Sequence, residues 1–130
     1  MRILIDTHLL LWSAAMSRRV PAEARRLLEE PVNEVFYSVA SLWEIAIKAA
    51  LRKFDFKIDL SILRPALAEM AFVELPVSGD HAEKLASLPP IHKDPFDRML
   101  VAQCLSEPLV LLTDDAVLAD YGEFVLVVRP

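Results

Sequence analysis

The chemistry this sequence could support rests on carboxylates that recur at comparable places along the chain. Asp6 closes a short apolar run, Ile3 to Ile5, and Glu44 follows Ser41 near the start of another apolar stretch. Asp97 follows Asp94 and Pro95, and Asp115 stands two residues after Thr113. Each acid has a structural explanation of its own. Asp6 can cap the segment that follows it. Ser41-Leu42-Trp43-Glu44 has the capping-box pattern, with Glu44 at the third helical position. Asp94-Pro95-Phe96-Asp97 combines a capping aspartate, a proline at the first position and a second acid at the third, and Thr113-Asp114-Asp115 is another helix start. Helix dipoles favour acids at such places by roughly 0.3–1 kcal/mol each. Taken jointly, the same acids suggest a site. Several carboxylates can ionise side by side only with a cation between them. Hard oxygen donors without a histidine or cysteine cluster suit Mg2+ or Mn2+, ions that activate water and neutralise charge in phosphoryl displacement.

Such convergence needs elements that bring distant segments to one edge. Arg2 to Asp6 reads as a first strand and Thr7 to about Ala15 as a helix. Pro21 opens a second helix through about Glu30, and Val35 to Tyr37 form a short strand. Ser41 to about Lys53 is helical and ends in the basic cluster Lys48, Arg52 and Lys53. Phe54 to Leu63 is open between a loop and a short turn of helix, Pro65 begins a helix through about Ala71, and Phe72 to Leu75 is the third strand. Ser78 can cap a helix to about Ser87, and Leu88 to Lys93 is a proline-rich loop. Asp94 to about Leu105 is a strong helix, Leu109 to Leu112 a fourth strand, Thr113 to Ala119 a short helix and Phe124 to Val128 the last strand. Strands alternating with helices predict an α/β fold, a three-layer α/β/α sandwich with a mainly parallel central sheet. In open sheets of that kind ligands bind beyond the carboxyl ends of the strands. Helix starts that follow parallel strands share that edge, so the acids meet if strands one, two and four are neighbours.

Bulk properties narrow the class. The chain has 130 residues and is 55% hydrophobic, which fits a single domain over residues 1–130 with a substantial core. Its two glycines, Gly79 and Gly122, stand apart and make no phosphate-binding loop. Cys104 is the only cysteine, which excludes an internal disulfide or a zinc-binding cysteine cluster and fits a reducing, cytoplasmic setting. No apolar run approaches the ~20 residues of a membrane span. A net charge of −5 argues against indiscriminate nucleic-acid binding, yet acids gathered at a metal site would account for part of it.

Beyond this reading, the segments LIDTHLLLW, SVASLWEIAIK, HKDPFDRMLVAQ and LLTDD followed by YG resemble, in order and spacing, the PIN-domain ribonucleases of the VapC toxin type. The resemblance spans essentially the whole chain. It implies a metal-dependent endoribonuclease held inactive by a small cognate antitoxin, with a homodimer as the family's habit. By motif, Asp6, Glu44, Asp97 and Asp115 match the acidic metal-binding positions, and Thr113 a hydroxyl that supports them. Asp94 is an extra acid, cap first and auxiliary ligand second, and Asp114 competes with Asp115 for the place facing the metal. The helices around Pro21 to Glu30 and Phe54 to Ala71 are the implied antitoxin surface.

The remaining candidates carry two readings each. His8, His92, Lys93 and Arg98 flank the acids and are candidates for RNA phosphate contact, against a backbone-bonded histidine at His8 and solvated or locally paired charge at the others. His81 reads as an ordinary surface-helix residue, Trp12 and Trp43 as core or interface, and Cys104 as a buried apolar filler. Two other functions compete with the nuclease. Asp6 at a strand end would suit the nucleophile of a Mg2+-dependent phosphatase or phosphotransferase, although His8 stands where a second acid is common in such enzymes. In a non-catalytic binding module the acids would act as caps alone.

Overall fold

The computed structural model describes residues 1–54 and 57–129. Asp55 and Phe56, within the stretch left open between loop and helix, lie outside the described residues. Five strands form one sheet: β1 Arg2–Ile5, β2 Glu34–Ser38, β3 Val73–Leu75, β4 Val110–Thr113 and β5 Val125–Val127. Their order is β3-β2-β1-β4-β5 and every neighbouring pair is parallel, so β1 lies in the middle between β2 and β4. The chain winds outward from β1 to one edge through β2 and β3, then returns to the other side of β1 with β4. The junction of β1 and β4 is therefore a topological switch point, where open α/β sheets leave a crevice.

Side-chain alternation divides the core into two layers. Ile3, Ile5, Val35, Tyr37 and Leu112 point to one face, against α1 Thr7–Ala14, α2 Ala22–Glu29, α3 Val39–Ala50 and α4 Leu60–Glu69. Leu4, Phe36 and Leu111 point to the other, against α6 Pro95–Ser106 and the 3-10 helix Ala116–Tyr121, while α5 Gly79–Ala86 packs on α6. Residues buried from both sides explain why the strands read as continuous apolar runs rather than alternating ones. The expected three-layer α/β/α sandwich is what forms, with a wholly parallel sheet.

Several boundaries differ from the sequence reading, each for a local reason. Helix α3 starts at Val39 directly off β2, because Ser38 is the cap and accepts the Ala40 N–H at 3.0 Å. Ser41 and Glu44 thus lie inside the helix, and their capping box is not made. Pro65 does not begin α4 but lies within it; Asp59 caps the helix earlier, accepting the Ser61 N–H at 2.9 Å. Thr113 is the last residue of β4, and the helix after it is the 3-10 turn capped by Asp115, whose Oδ1 accepts the Val117 N–H at 3.0 Å. His81 is not a surface residue. It is 1% exposed, completes the capping box of Ser78 through its Nδ1, and reaches Glu107 Oε2 at 2.7 Å through Nε2. Trp12 packs against the core, whereas Trp43 is 64% exposed and meets Phe96 edge-on at 5.4 Å. Cys104 is buried, and burial pushes its thiol up, as for an inert filler.

Candidate metal centre

Asp6 is the first residue beyond β1 and is 4% exposed. Its backbone N–H still donates to Leu112 O of β4 at 3.0 Å, which holds it at the switch point. Its Oδ1 accepts the Leu9 N–H at 2.9 Å, so the capping role expected of it is real. Its Oδ2 accepts the Thr113 hydroxyl at 2.5 Å, and Thr113 Oγ1 in turn accepts the Asp115 N–H at 3.0 Å. A hydroxyl buried at the end of β4 thus ties the first acid to the last. Burial raises the Asp6 carboxyl from its usual range to about 6, with the Thr113 and Leu9 bonds opposing and the charge of Asp114 adding.

Glu44 reaches the same edge from α3 and is 3% exposed. The Thr7 hydroxyl donates to its Oε1 at 2.8 Å and lies 2.9 Å from the Ser41 hydroxyl, so three polar groups share a buried pocket between α1 and α3. Lys48, one turn on, donates to Oε2 at 2.6 Å. That contact gives Lys48 a partner inside the acidic edge instead of leaving it in a separate basic patch.

Asp97 arrives on the first turn of α6, where Asp94 is the cap and accepts the N–H groups of Phe96 and Asp97 at 2.8 and 3.4 Å. Its carboxyl is raised to about 7, first by burial and then by the charge of Asp94, with smaller contributions from Glu44 and Asp6; only His92 pulls the other way. Residues far apart in the chain therefore act on one another's charge at one edge of the sheet. Asp115 Oδ2 receives His92 Nε2 at 2.8 Å, and Asp97 Oδ2 lies 3.6 Å from the same nitrogen. Among the described residues, His92, Asp97 and Asp115 are the group whose potential ligand atoms all lie within 4.8 Å of one another. Asp6 and Glu44 are turned instead to Thr113 and to Thr7 with Lys48.

The flanking cations are placed unevenly. His8 is exposed, its ring 6.0 Å from Trp12. Lys93 is exposed on the loop. Arg98 is a clamp, donating to Pro89 O and to the Tyr121 hydroxyl at 3.0 Å each. Thr7 and Tyr121 carry parts of this site that the sequence reading gave no role, and Lys48, read there only as part of a basic cluster, pairs with Glu44. The signals were present: Thr7 adjoins Asp6, and Lys48 lies one helical turn beyond Glu44, at a salt-bridge spacing.

Acidic oxygens dominate the edge, and burial, with the charge of neighbouring acids, raises the Asp6 and Asp97 carboxyls. That donor set fits a hard divalent cation, which would supply the missing positive charge. Residues 3–123 match the family profile described as PIN domain. No curated protein sequence gives a match. Among solved structures the fold is similar to VapBC2 from Rickettsia felis bound to a DNA fragment from its promoter, with a TM-score of 0.69 and 12% identity over 99% of this chain and 98% of that one. It is also similar to a toxin-antitoxin complex from Klebsiella pneumoniae (TM-score 0.64, 23% identity, 96% of each chain). FitAcB from Neisseria gonorrhoeae resembles it over 87% of each chain, with a TM-score of 0.58 and 22% identity.

Proposed function

Because the chain belongs to the PIN domain family, we propose that it is a Mg2+- or Mn2+-dependent endoribonuclease and the toxin of a toxin–antitoxin pair. The observation that carries this reading is the linkage of acids at the switch-point edge of the sheet: Thr113 joins Asp6 to Asp115, and the His92 ring lies between Asp115 and Asp97. Asp6, Glu44 and Asp97 hold the divalent ion, and Asp115 completes the site directly or through water. When bound there, the ion supplies an activated water and neutralises charge on the phosphoryl oxygens. Thr113 fixes the Asp6 carboxylate at the end of β1, and Thr7 fixes that of Glu44. Lys48 balances Glu44 until the site is loaded. His8 and Lys93, exposed beside the acids, receive RNA phosphates. An aspartyl-nucleophile reading is disfavoured, since His8 stands two residues after Asp6, where such enzymes commonly carry a second acid.

Two surfaces support the partner reading. An open groove of about 1270 Å3 runs between α1, α3 and α4, with Leu11, Ile45, Ala49, Ile58, Ile62 and Leu63 in its walls. An amphipathic helix of a small antitoxin suits such a groove, and the structural neighbours include toxin–antitoxin complexes. The α4 side agrees with the surface the resemblance implied, while α2 does not line the groove. Trp43 and Ile47 on α3 and Leu51 at its cap form an exposed apolar stripe at one-turn intervals, which a second copy of the chain would cover in a homodimer. No helix among the described residues is long and apolar enough to cross a membrane.

The test is cleavage of a labelled single-stranded RNA pool with Mn2+, with Mg2+ and with EDTA. Cuts are expected only with metal, and Asp97→Asn should slow them by roughly 10²–10³-fold. Cleavage that survives EDTA, or that is undiminished in Asp97→Asn, overturns the proposal.

A further inference from the structure

The proline-rich loop before α6 is fixed by contacts the metal reading does not use. The Tyr121 hydroxyl accepts the backbone N–H of His92 at 3.0 Å, and it also accepts Arg98, which in turn reaches Pro89 O. These bonds hold the His92 backbone. Its ring is held at both nitrogens. Nδ1 lies 3.0 Å from the backbone N of Asp94, and a backbone N–H can only donate. Nδ1 therefore presents its lone pair, and the proton of the neutral ring is on Nε2, the nitrogen that faces Asp115 Oδ2 at 2.8 Å and Asp97 Oδ2 at 3.6 Å.

By spacing alone, His92, Asp97 and Asp115 could be three ligands of one ion. Hydrogen-bond chemistry assigns the histidine a different part. A cation on Nε2 needs the lone pair there, which moves the ring proton to Nδ1 and sets it against the Asp94 N–H. We infer that His92 is a positioning residue and not a ligand: its Nε2–H holds the Asp115 carboxylate beside Asp97, and so sets how tightly the acidic cluster binds a divalent cation. The inference rests on the metal reading above. The other Asp115 oxygen accepts the Val117 N–H at 3.0 Å, so the carboxylate is gripped on both sides. Without the ring, one grip is lost and Oδ2 is free to turn outward. Partners that orient a metal-binding group in this way are worth about 10–100-fold in affinity.

Calorimetric titration of the full chain with Mn2+ tests this in the wild type, His92→Gln and His92→Asn. A glutamine side chain carries its N–H near the position of Nε2, whereas asparagine reaches only as far as Nδ1. Wild type and His92→Gln are expected to bind alike, and His92→Asn to bind about 10–100-fold more weakly. A merely structural role would affect both variants equally. Electron spin-echo spectra of the Mn2+-loaded wild type are expected to lack the coupling of a directly bound ¹⁴N. Equal affinity of all three proteins, equal weakening of both variants, or a directly bound nitrogen overturns the inference. No Mn2+ binding by the wild type itself overturns the metal reading, and this inference with it.

Discussion

Asp6 and Asp97 are carboxyls kept near neutrality by their surroundings, at about 6 and about 7. Both values lie above the unfolded one, so between about pH 4 and 7 these two groups hold more protons in the metal-free folded chain than in the unfolded chain. Linkage then makes stability fall as pH rises through that window. Replacing Asp97 by a neutral isostere removes its share of the penalty. Metal-free Asp97→Asn is expected to be more stable than the wild type by about 1–3 kcal/mol at pH 7.5, the difference closing towards pH 4. Urea unfolding at the two pH values checks this, and a variant no more stable than the wild type at pH 7.5 contradicts it. Protons and a cation compete for the same oxygens, so Mn2+ affinity should rise as pH climbs from 6 to 7.5. A titration series across that range reads it, and a flat profile would remove the burial of these acids as its cause. Asp6, Asp97 and Asp115 were legible in the sequence because each sits just past a strand or at a helix start, and Glu44 because of its spacing from Ser41. The roles of the Thr7 and Tyr121 hydroxyls were not, since each bonds a residue far along the chain, whereas Lys48 already stood in the basic cluster at the helix end.

Among the elements, α6 was the easiest to read. Its cap Asp94, its first-turn Pro95 and its acid Asp97 are consecutive, so the signal is local. Helix α3 misled because Ser41 and Glu44 have capping-box spacing, yet β2 runs straight into the helix and Ser38 takes the cap. That shift places Glu44 in the second turn, next to Thr7, instead of at the exposed helix start. Ser38→Ala should therefore destabilise the chain by about 1 kcal/mol in denaturant melts, and the loss should exceed that of an exposed serine such as Ser87. Helix α5 misled in another way. His81 lies between Asp80 and Ala82 on a polar helix, and its burial depends on Glu107 at the far end of α6. His81→Ala removes a cap contact, a buried bond and packing, for an expected loss of roughly 2–3 kcal/mol. Mn2+ affinity should stay unchanged, because α5 packs away from the acids. A stability change below about 0.5 kcal/mol would mean that His81 holds nothing together.

At the scale of the molecule, one topological fact organises the rest. Starting the sheet in its middle and filling it outward in both directions leaves a crevice where β1 and β4 part, and the chain places Asp6 and Thr113 there. The alternation of strands and helices made the α/β sandwich legible, and the need for β1, β2 and β4 to be neighbours was the condition for the acids to meet. The sheet order fulfils that condition. The apolar groove across α1, α3 and α4 was harder to foresee, since it arises from surfaces that three separate helices leave uncovered. The central claim is that carboxylates from both ends of the chain share one divalent ion. Crystals of the full chain soaked in Mn2+ and measured at the manganese absorption edge test it most directly. An anomalous peak is expected within bonding distance of both Asp6 and Asp97. Diffraction that shows no peak at the end of β1, or a peak only on acids elsewhere, would contradict it.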